Sequence, residues 1–335
     1  MNHPSRSIAC LAALLMFGSL SGSHSGLLAA DAIAPSIRFR ATPARPGDVR
    51  QQQMDFDLDV TRQVQEGNQV TDLRQQRVHK TKQRRVEIQQ VQGPLPIAAR
   101  IDYGKSEMRL EGGATPTQQL VDPAADKSYI VSRRGDELVI QDLQGAVPPA
   151  PELVWLKQDL ATFGRENPLS TFLANREVRV GQTLDVPPEV ARELLGGSDS
   201  ATQVTRFQLT LEQIQTPAGH RQATFRVAID LKGADQGGVD MLVEGHVTMN
   251  ADLCQVEQVN LKGPIRSVEF EGEGANRLTL STFGTMTVTA AMTHQTAGTA
   301  TTPATTTSAT TPATAATPVP RAASRAAQRP TPTRR

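Results

Sequence analysis

The sequence predicts a mainly β protein: a large curled antiparallel sheet, half-barrel or sandwich-like, with one or two inserted helices. Three observations lead to this prediction. Apolar and polar residues alternate with a period of two over most of positions 51–288, which is the pattern of strands with one buried face. Clusters of glycine, proline and asparagine separate the alternating runs. Only two stretches carry the signals of a helix.

The first two strands form the clearest predicted hairpin. Two alternating runs meet at Gly67, and three aspartates occupy the polar positions of the first run. With Gly67 at the apex, Phe56 faces Val78 and Asp57 faces Arg77. The hairpin then has one apolar face and one face of opposite charges, where each cross-strand pair contributes roughly 0.2–1 kcal/mol.

Further strands and both helices follow in chain order. A strand is predicted over 97–103, and a second hairpin over 127–140 turns at Gly135. A prolyl start and the spacing of apolar residues predict a helix over 151–163, which we expect to cover the apolar face of the sheet. A short helix over 188–195 ends at two glycines.

The last third of the chain is predicted to be an antiparallel meander with one dry and one wet face. Turn-forming residues separate its alternating runs. The strands are expected around 207–211, 225–231, 241–249, 256–261, 268–270 and 278–288.

The two ends of the chain differ from the rest. Arg6, a short apolar run over 8–20 and small residues before Asp31 have the layout of a secretory signal peptide. No later run reaches the roughly 20 apolar residues that span a bilayer, so we expect a protein exported to the periplasm, cell envelope or medium. Threonine, alanine and proline dominate the last forty residues and predict disorder. The predicted organisation is a signal peptide (1–30), a β domain (31–295) and a disordered basic tail (296–335).

The formal net charge of +1 conceals an asymmetry. Removing Arg6 and five tail arginines from 35 basic residues leaves 29 against 34 acidic residues, a charge of −5 for 31–295. This argues against a nucleic-acid footprint on the domain, and the basic run 74–85 is expected to neutralise the acidic first strand. The basic residues that we expect to contact an anionic envelope polymer are Arg321, Arg325, Arg329, Arg334 and Arg335.

Patterns for catalysis or metal binding are missing from the sequence. The histidines beyond position 30 lack metal-ligand spacing, and nucleophile-elbow and phosphate-loop motifs do not occur. Aromatic residues make up 4% of the chain, which argues against sugar-binding platforms. We expect no catalytic residues, no metal and no cofactor. Cys254, alone after position 30, is expected to be a small buried apolar residue rather than a nucleophile or an intermolecular disulfide partner.

Three polar patterns resemble sites but fit a solvated strand face better. The aspartates of 55–59 have calcium-loop spacing, yet Val60 stands where that loop needs glycine, and strand carboxylates two residues apart are separated by about 6.6 Å. The alternating glutamates of 269–273 single out no pair of the kind a glycosidase uses. Glu244 and His246 share one strand face and could act as base and orienter, but we expect them to be surface residues.

Two segments resemble known proteins. Residues 126–140, DKSYIVSRRGDELVI, resemble the Lys-x-Tyr hairpin of uncharacterised bacterial secreted β-rich families. Residues 176–186, REVRVGQTLDV, resemble the Val-x-Val-Gly turn of those families, with Gln182 and Leu184 in place of aspartate and tryptophan. The resemblance to those families covers most of 45–286 in layout. More loosely, a long curled antiparallel sheet with inserted helices is similar to periplasmic lipoprotein-carrier half-barrels. The resemblance implies a β-rich fold and an exported location. It does not indicate any particular activity, because these families have no established one.

The leading functional hypothesis is a non-enzymatic envelope protein that binds a lipid or another hydrophobic molecule on the apolar face of its sheet. The alternative is a structural or interaction scaffold tethered to anionic envelope polymers by its basic tail. An exposed concavity would favour the first, and a filled core the second. The expected ligand-lining residues are Phe207, Leu209, Leu211, Phe225, Val227, Ile229, Met241 and Val243.

Overall fold

The computed structural model describes residues 34–112, 116–195, 202–233, 238–272 and 277–297. The predicted signal peptide and nearly all of the predicted tail lie outside these residues. Within them the chain forms fourteen strands and three helices. The strands are β1 (Ser36–Arg38), β2 (Val49–Glu66), β3 (Gln69–Gln92), β4 (Leu95–Gly112), β5 (Gln118–Val121), β6 (Ser128–Arg134), β7 (Glu137–Asp142), β8 (Glu177–Arg179), β9 (Thr183–Asp185), β10 (Thr202–Gln215), β11 (Gln222–Gly233), β12 (Val239–Asn250), β13 (Gln255–Glu271) and β14 (Leu278–Gln295). The helices are α1 (Ala150–Asp159), α2 (Pro168–Leu173) and α3 (Pro188–Leu194).

Twelve of the strands form one open antiparallel sheet, which confirms the predicted fold class. Its order is β7-β6-β4-β3-β2-β14-β13-β12-β11-β10-β9, with β5 paired to β4. Most strands pair with their neighbours in the chain. Besides β4, which pairs with β6 across β5, the exception is β14, which returns to pair with β2 along its whole length, from Gln295 opposite Val49 to Leu278 opposite Glu66. This pairing joins the two halves of the sheet.

The β2–β3 hairpin forms as predicted, but its register differs by two residues. Leu58, not Phe56, faces Val78, and Asp57 faces His79 rather than Arg77. The turn accommodates two residues, because Glu66 pairs with Gln69, and a bulge after Val64 shifts the register further. Polar pairs are retained on this face: His79 Nδ1 lies 2.8 Å from Asp57 Oδ1, and Arg77 forms an ion pair with Asp59 at 2.8 Å. The segment 55–59 is extended and paired, as expected of a strand face rather than a calcium loop.

Both predicted helices are present, and a third was missed. The predicted 151–163 helix ends four residues early, at Asp159, and continues as turns. The short helix over 188–195 is confirmed as α3. Helix α2 begins after Asn167, whose side chain accepts hydrogen bonds from the amides of Leu169 and Ser170. Its six residues are too few to show a helical period. Among the described residues, no helix has the length and apolar character needed to cross a membrane.

Three glycines mark a diagonal line across β12, β13 and β14. A Cβ at Gly245, Gly263 or Gly284 would lie 1.7, 1.8 or 2.0 Å from a backbone oxygen of the neighbouring strand. Gly245 pairs with Leu261, two residues before Gly263, and Gly263 pairs with Met286, two residues after Gly284. The line therefore steps by two residues per strand. Only glycine fits such close backbone approach, which is typical of a place where a sheet bends.

Two hydrophobic cores lie on the same face of the sheet, under different elements. The main core joins β2 and β10–β14 to residues of β1, α2, β8 and α3, among them Ile37, Leu173 and Ala191. The second core joins β3, β4, β6 and β7 to Leu156 and Leu160 of α1 and the turn after it. The expectation that the 151–163 helix covers the apolar face was thus wrong for the larger part of that face. The actual cover consists of short elements without a sequence period.

Candidate functional site

The eight residues predicted to line a ligand site come together in the main core. Seven of them are at most 3% exposed, and Phe207 is half-buried against the same core. The cover packs directly on them, since the rings of Phe39 and Phe225 stack with centroids 5.8 Å apart. Any ligand that touched the seven buried side chains would have to displace β1, α2 or α3. The eight residues therefore belong to one core cluster, which also contains residues of β1, α2 and α3.

A strip of basic residues separates the two cores on the same face. Lys80 and Lys82 of β3 lie opposite Phe56 and Met54, which are buried, and Arg84 lies opposite Gln52. The basic run 74–85 was expected to neutralise the acidic strand. Only part of it does so, because alternation along β3 places these three cations on the inner face.

Two of these three cations, Lys82 and Arg84, pair with Asp159, the last residue of α1, whereas Lys80 pairs with Asp122 at 3.6 Å. The carboxylate of Asp159 forms an ion pair with Lys82, accepts a hydrogen bond from Arg84 Nη1 at 3.2 Å, and accepts one from the Tyr103 hydroxyl at 2.7 Å. The side chains of Lys82 and Asp159 are only 3% and 6% exposed. The ammonium of Lys82 also lies 5.2 Å from the centre of the Trp155 ring.

Burial controls the ionisation of this cluster. It lowers the pKa of Lys82 to about 8, and the attraction of Asp159 offsets only part of that effect. Burial alone would raise the pKa of Asp159, but the charges of Arg84 and Lys82 outweigh it and lower the pKa below its usual value. Burial and the neighbouring Asp159 raise the pKa of Tyr103 well above 10. At neutral pH Lys82 and Asp159 are therefore charged and compensate each other.

A cleft of about 340 Å³ opens beside the strip. Its walls are the loop of residues 42–48, the start of β2, the end of β14 and the turn before β13. Arg50 and His294 line it and face each other across the β2–β14 pairing. Asp48 also lines it, and its carboxylate accepts hydrogen bonds from the backbone amides of Arg45 and Ala297 at 2.8 and 2.9 Å.

Three polar groups around this cleft lack partners within the described part of the chain. The partly buried Arg50 guanidinium forms no hydrogen bond or ion pair there, and burial lowers its pKa against the opposing effect of Asp48. Gln52 Nε2 is buried without a partner, although Gln52 Oε1 accepts from Arg84 at 2.6 Å. His294 Nδ1 is buried without a partner, while its Nε2 lies 3.3 Å from the Val256 carbonyl. Burial, then the nearby Arg50, lowers the pKa of His294, so its neutral form offers Nδ1 as an acceptor.

Sequence reasoning missed these groups, although a signal was present. Arg50 and Gln52 continue the even-numbered positions whose next members, Met54 and Phe56, belong to the dry face of β2. A charged residue at a position where the alternating pattern places buried apolar residues departs from that pattern, and it therefore marks a candidate site. The same criterion would have separated Lys82 from the outward-facing residues of β3.

The other candidates lie on the outer face or in the core. His246 does not pair with Glu244. Its Nε2 lies 3.2 Å from Glu212, which also binds Arg226 at 3.3 Å, on an exposed shallow groove. Cys254 is fully buried, and burial raises the pKa of its thiol to about 11. Of the described residues, no group of three acidic, histidine or cysteine side chains is placed to hold a metal ion.

Comparison with known proteins identifies no family. Neither a protein-family model nor a curated protein matches the sequence. One similar solved structure concerns lipid–protein interactions in lipovitellin. The similarity covers 76% of this chain and 26% of that one, with a TM-score of 0.37 and 8% sequence identity. The chain thus spans about a quarter of that protein, and the similarity is too low to support a functional assignment.

Proposed function

We propose that the protein is a non-enzymatic, exported module of the cell envelope whose sheet serves as a closed structural or interaction scaffold. The supporting observation is the filled main core, in which seven of the eight expected ligand-lining residues are at most 3% exposed. A carrier with a ready-made lipid site would leave such residues accessible to solvent when empty. Here β1, α2 and α3 occupy that space.

The perturbed ionisable groups support a non-enzymatic role. Lys82, Tyr103 and Asp159 satisfy one another and are buried where α1 meets the sheet. Groups that act on a substrate need access to it. This cluster serves to fasten α1 over the second core.

Native mass spectrometry tests the closed scaffold. The mature chain, purified from its own envelope without detergent, should give a mass without adduct, and solvent extraction should yield no stoichiometric lipid. A stoichiometric lipid would overturn the proposal in favour of binding on the apolar face.

A disulfide can establish whether the cover moves. Cys254 Sγ lies 3.4 Å from the carbonyl oxygen of Ser170 in α2, so Ser170→Cys brings a second thiol beside the native one. Uptake of a fluorescent fatty acid should be absent in both the oxidised and the reduced variant. Uptake that appears only after reduction would identify α2 as a lid and reject the closed scaffold. Loss of two hydrogen atoms from the intact mass after treatment with an added oxidant confirms that the disulfide has formed.

The proposal includes a tether. Residues 296–335 carry five arginines and no acidic residue, a composition that suits an anionic envelope polymer. Deleting 298–335 should abolish sedimentation with isolated envelopes, and raised salt should do the same to the intact chain. Co-sedimentation of the deletion variant at low salt would reject the tether while leaving the scaffold untouched.

A further inference from the structure

Arg50 is a partly buried cation that the described chain does not compensate. Its guanidinium has five N–H donors and cannot be deprotonated at physiological pH, yet it makes no hydrogen bond or ion pair with the described residues. Withdrawing an unpaired charge from water is costly, so such a group calls for a partner. The adjacent strip shows the contrast, since Lys82 and Arg84 share the carboxylate of Asp159.

The nearest carboxylate does not meet this need. Asp48 attracts Arg50 electrostatically but lies outside ion-pair distance of it, and its oxygens accept from two backbone amides instead. Arg45 adds a second cation to the lining of the cleft, where Asp48 is the one acidic residue among the described lining residues. The cleft therefore carries an excess of positive charge.

The two other unpartnered groups indicate which functional group the ligand carries. Gln52 Nε2 is a further donor on the same face as Arg50, and His294 Nδ1 is an acceptor beside it. A carboxylate offers only acceptors. A singly protonated phosphate offers several acceptor oxygens for Arg50 and one hydroxyl that can donate to His294. The volume of about 340 Å³ suits a small ligand or a head group.

We propose that the cleft binds a phosphate monoester group, with Arg50 as its main donor and His294 Nδ1 as the acceptor of its remaining proton. Planar guanidinium groups recognise phosphate through paired hydrogen bonds, so Arg50 supplies both charge and orientation. Gln52 lies two residues further along β2 on the same face and is outside the cleft lining, so its unpartnered Nε2 is a neighbouring donor rather than a contact of the ligand. The site goes beyond the scaffold proposal and does not depend on it, because the cleft lies outside the main core.

The first experiment is calorimetric titration of the mature chain with glycerol 3-phosphate and with inorganic phosphate at low salt. Binding is expected for wild type, and Arg50→Gln should weaken it at least about 30-fold, as expected when one partner of a desolvated charged hydrogen bond is removed. Arg77→Gln, on the outer face, is the matched control and should bind as wild type does. Undetectable binding of both soluble phosphates to wild type at millimolar concentration would exclude a small phosphorylated ligand and leave only the lipid head group tested below.

Two further variants separate the cleft from the tail and from a purely structural arginine. Replacing the five tail arginines by glutamine should leave glycerol 3-phosphate binding unchanged, and loss of binding there would assign the phosphate to the tail and reject the cleft. Arg50→Gln should also keep or raise the urea midpoint of unfolding, because it removes an uncompensated charge from a partly buried position. A lowered midpoint would indicate a structural role for Arg50 and contradict the inference.

Vesicles distinguish the source of the phosphate. If the ligand is a lipid head group, the wild-type protein should sediment with phosphatidic acid vesicles more strongly than Arg50→Gln does. It should not sediment with phosphatidylcholine vesicles. Binding of the soluble ester alone assigns a small phosphorylated molecule. Failure of all three phosphate probes rejects the site, and it leaves the mass-spectrometric test of the scaffold unaffected.

Discussion

Replacing Asp159 by asparagine tests how the second core is fastened. Asp159 accepts hydrogen bonds from Lys82, Arg84 and Tyr103 at the end of α1. Asparagine keeps the size of the side chain and removes the negative charge. Lys82 and Arg84 then face each other without compensation, while the apolar contacts of Leu156 are unchanged.

The expected cost follows from burial. Breaking a buried ion pair by removing one partner costs about 3–5 kcal/mol. Lys82 limits this cost, because its pKa of about 8 lies one unit above neutral pH, so discharging it at pH 7 requires only roughly 1.4 kcal/mol. Without Asp159 that pKa falls further, and Lys82 becomes neutral in the variant. We therefore expect Asp159→Asn to destabilise the fold by about 3 kcal/mol at pH 7, at the lower end of the range.

Urea unfolding followed by tryptophan fluorescence measures this change. Trp155 is the single tryptophan, and its ring lies beside Lys82, so the signal comes from the cluster itself. Asp57→Asn is the control, since it breaks an exposed pair with His79 and should cost at most about 1 kcal/mol. A destabilisation below about 1 kcal/mol for Asp159→Asn would refute the reasoning.

The pH dependence has a definite sign. The pKa of Lys82 is lowered from 10.5 to about 8 in the folded chain, so between these values the unfolded chain binds more protons and stability rises with pH. Tyr103, whose pKa is raised by burial, opposes this rise above pH 10. The pKa of Asp159 is lowered from 3.8, so its contribution is present above that value and is lost as pH falls further. The Asp159→Asn variant should not lose stability through this carboxyl group at acid pH. Because the pKa of Lys82 falls further in the variant, the pH range in which stability rises with pH should extend below pH 8.

Two other predictions concern single positions. Gly263→Ala should lower the free energy of unfolding in urea by about 1–3 kcal/mol, because the new Cβ would lie 1.8 Å from the Leu242 carbonyl oxygen. Gly104→Ala is the control. Its nearest contact is the flexible Gln83 side chain at 3.3 Å, so it should cost less than about 1 kcal/mol. Equal costs for the two variants would contradict the bend at Gly263. The Cys254 thiol, fully buried with its pKa raised to about 11, should resist Ellman's reagent at roughly pH 8 until urea unfolds the chain. Rapid modification of the native protein would show that α2 opens readily.

Strand pairing was largely accessible from sequence. Alternation over 207–288 and the turn clusters were enough to place β10–β14, because a period of two survives wherever one face is buried. The register of the β2–β3 hairpin could not be predicted from the sequence, because it depends on a bulge after Val64 that no residue pattern indicates. The return of β14 onto β2 is a long-range pairing, and a single sequence holds no record of it.

The cover of the main core was inaccessible for a different reason. Strands β1 and β8 have three residues each, and α2 has six, so none shows a period, and only α3 of the cover was predicted. Their apolar residues, such as Ile37 and Val178, are held in place by the sheet rather than by their own propensity. The sequence pattern placed the eight residues on one apolar face, and the structure shows which elements pack against them, while their predicted role in ligand binding stays a prediction.

The cations on the dry face of the sheet fall into two groups, those paired with a carboxylate and one without such a partner among the described residues. The first group has a role in the fold, and the second indicates a ligand. Lys82 and Arg84 break the apolar pattern, but both pair with Asp159, so the docking of α1 accounts for their inward positions. Arg50 breaks the same pattern on the adjacent strand and has no such partner among the described residues. Since an uncompensated cation withdrawn from water is costly, the partner of Arg50 is best sought outside the described residues, and the proposed phosphate is such a partner. That is why the phosphate titration of Arg50→Gln discriminates more sharply than any substitution in the apolar core: loss of binding without loss of stability is an outcome that a purely structural arginine cannot produce.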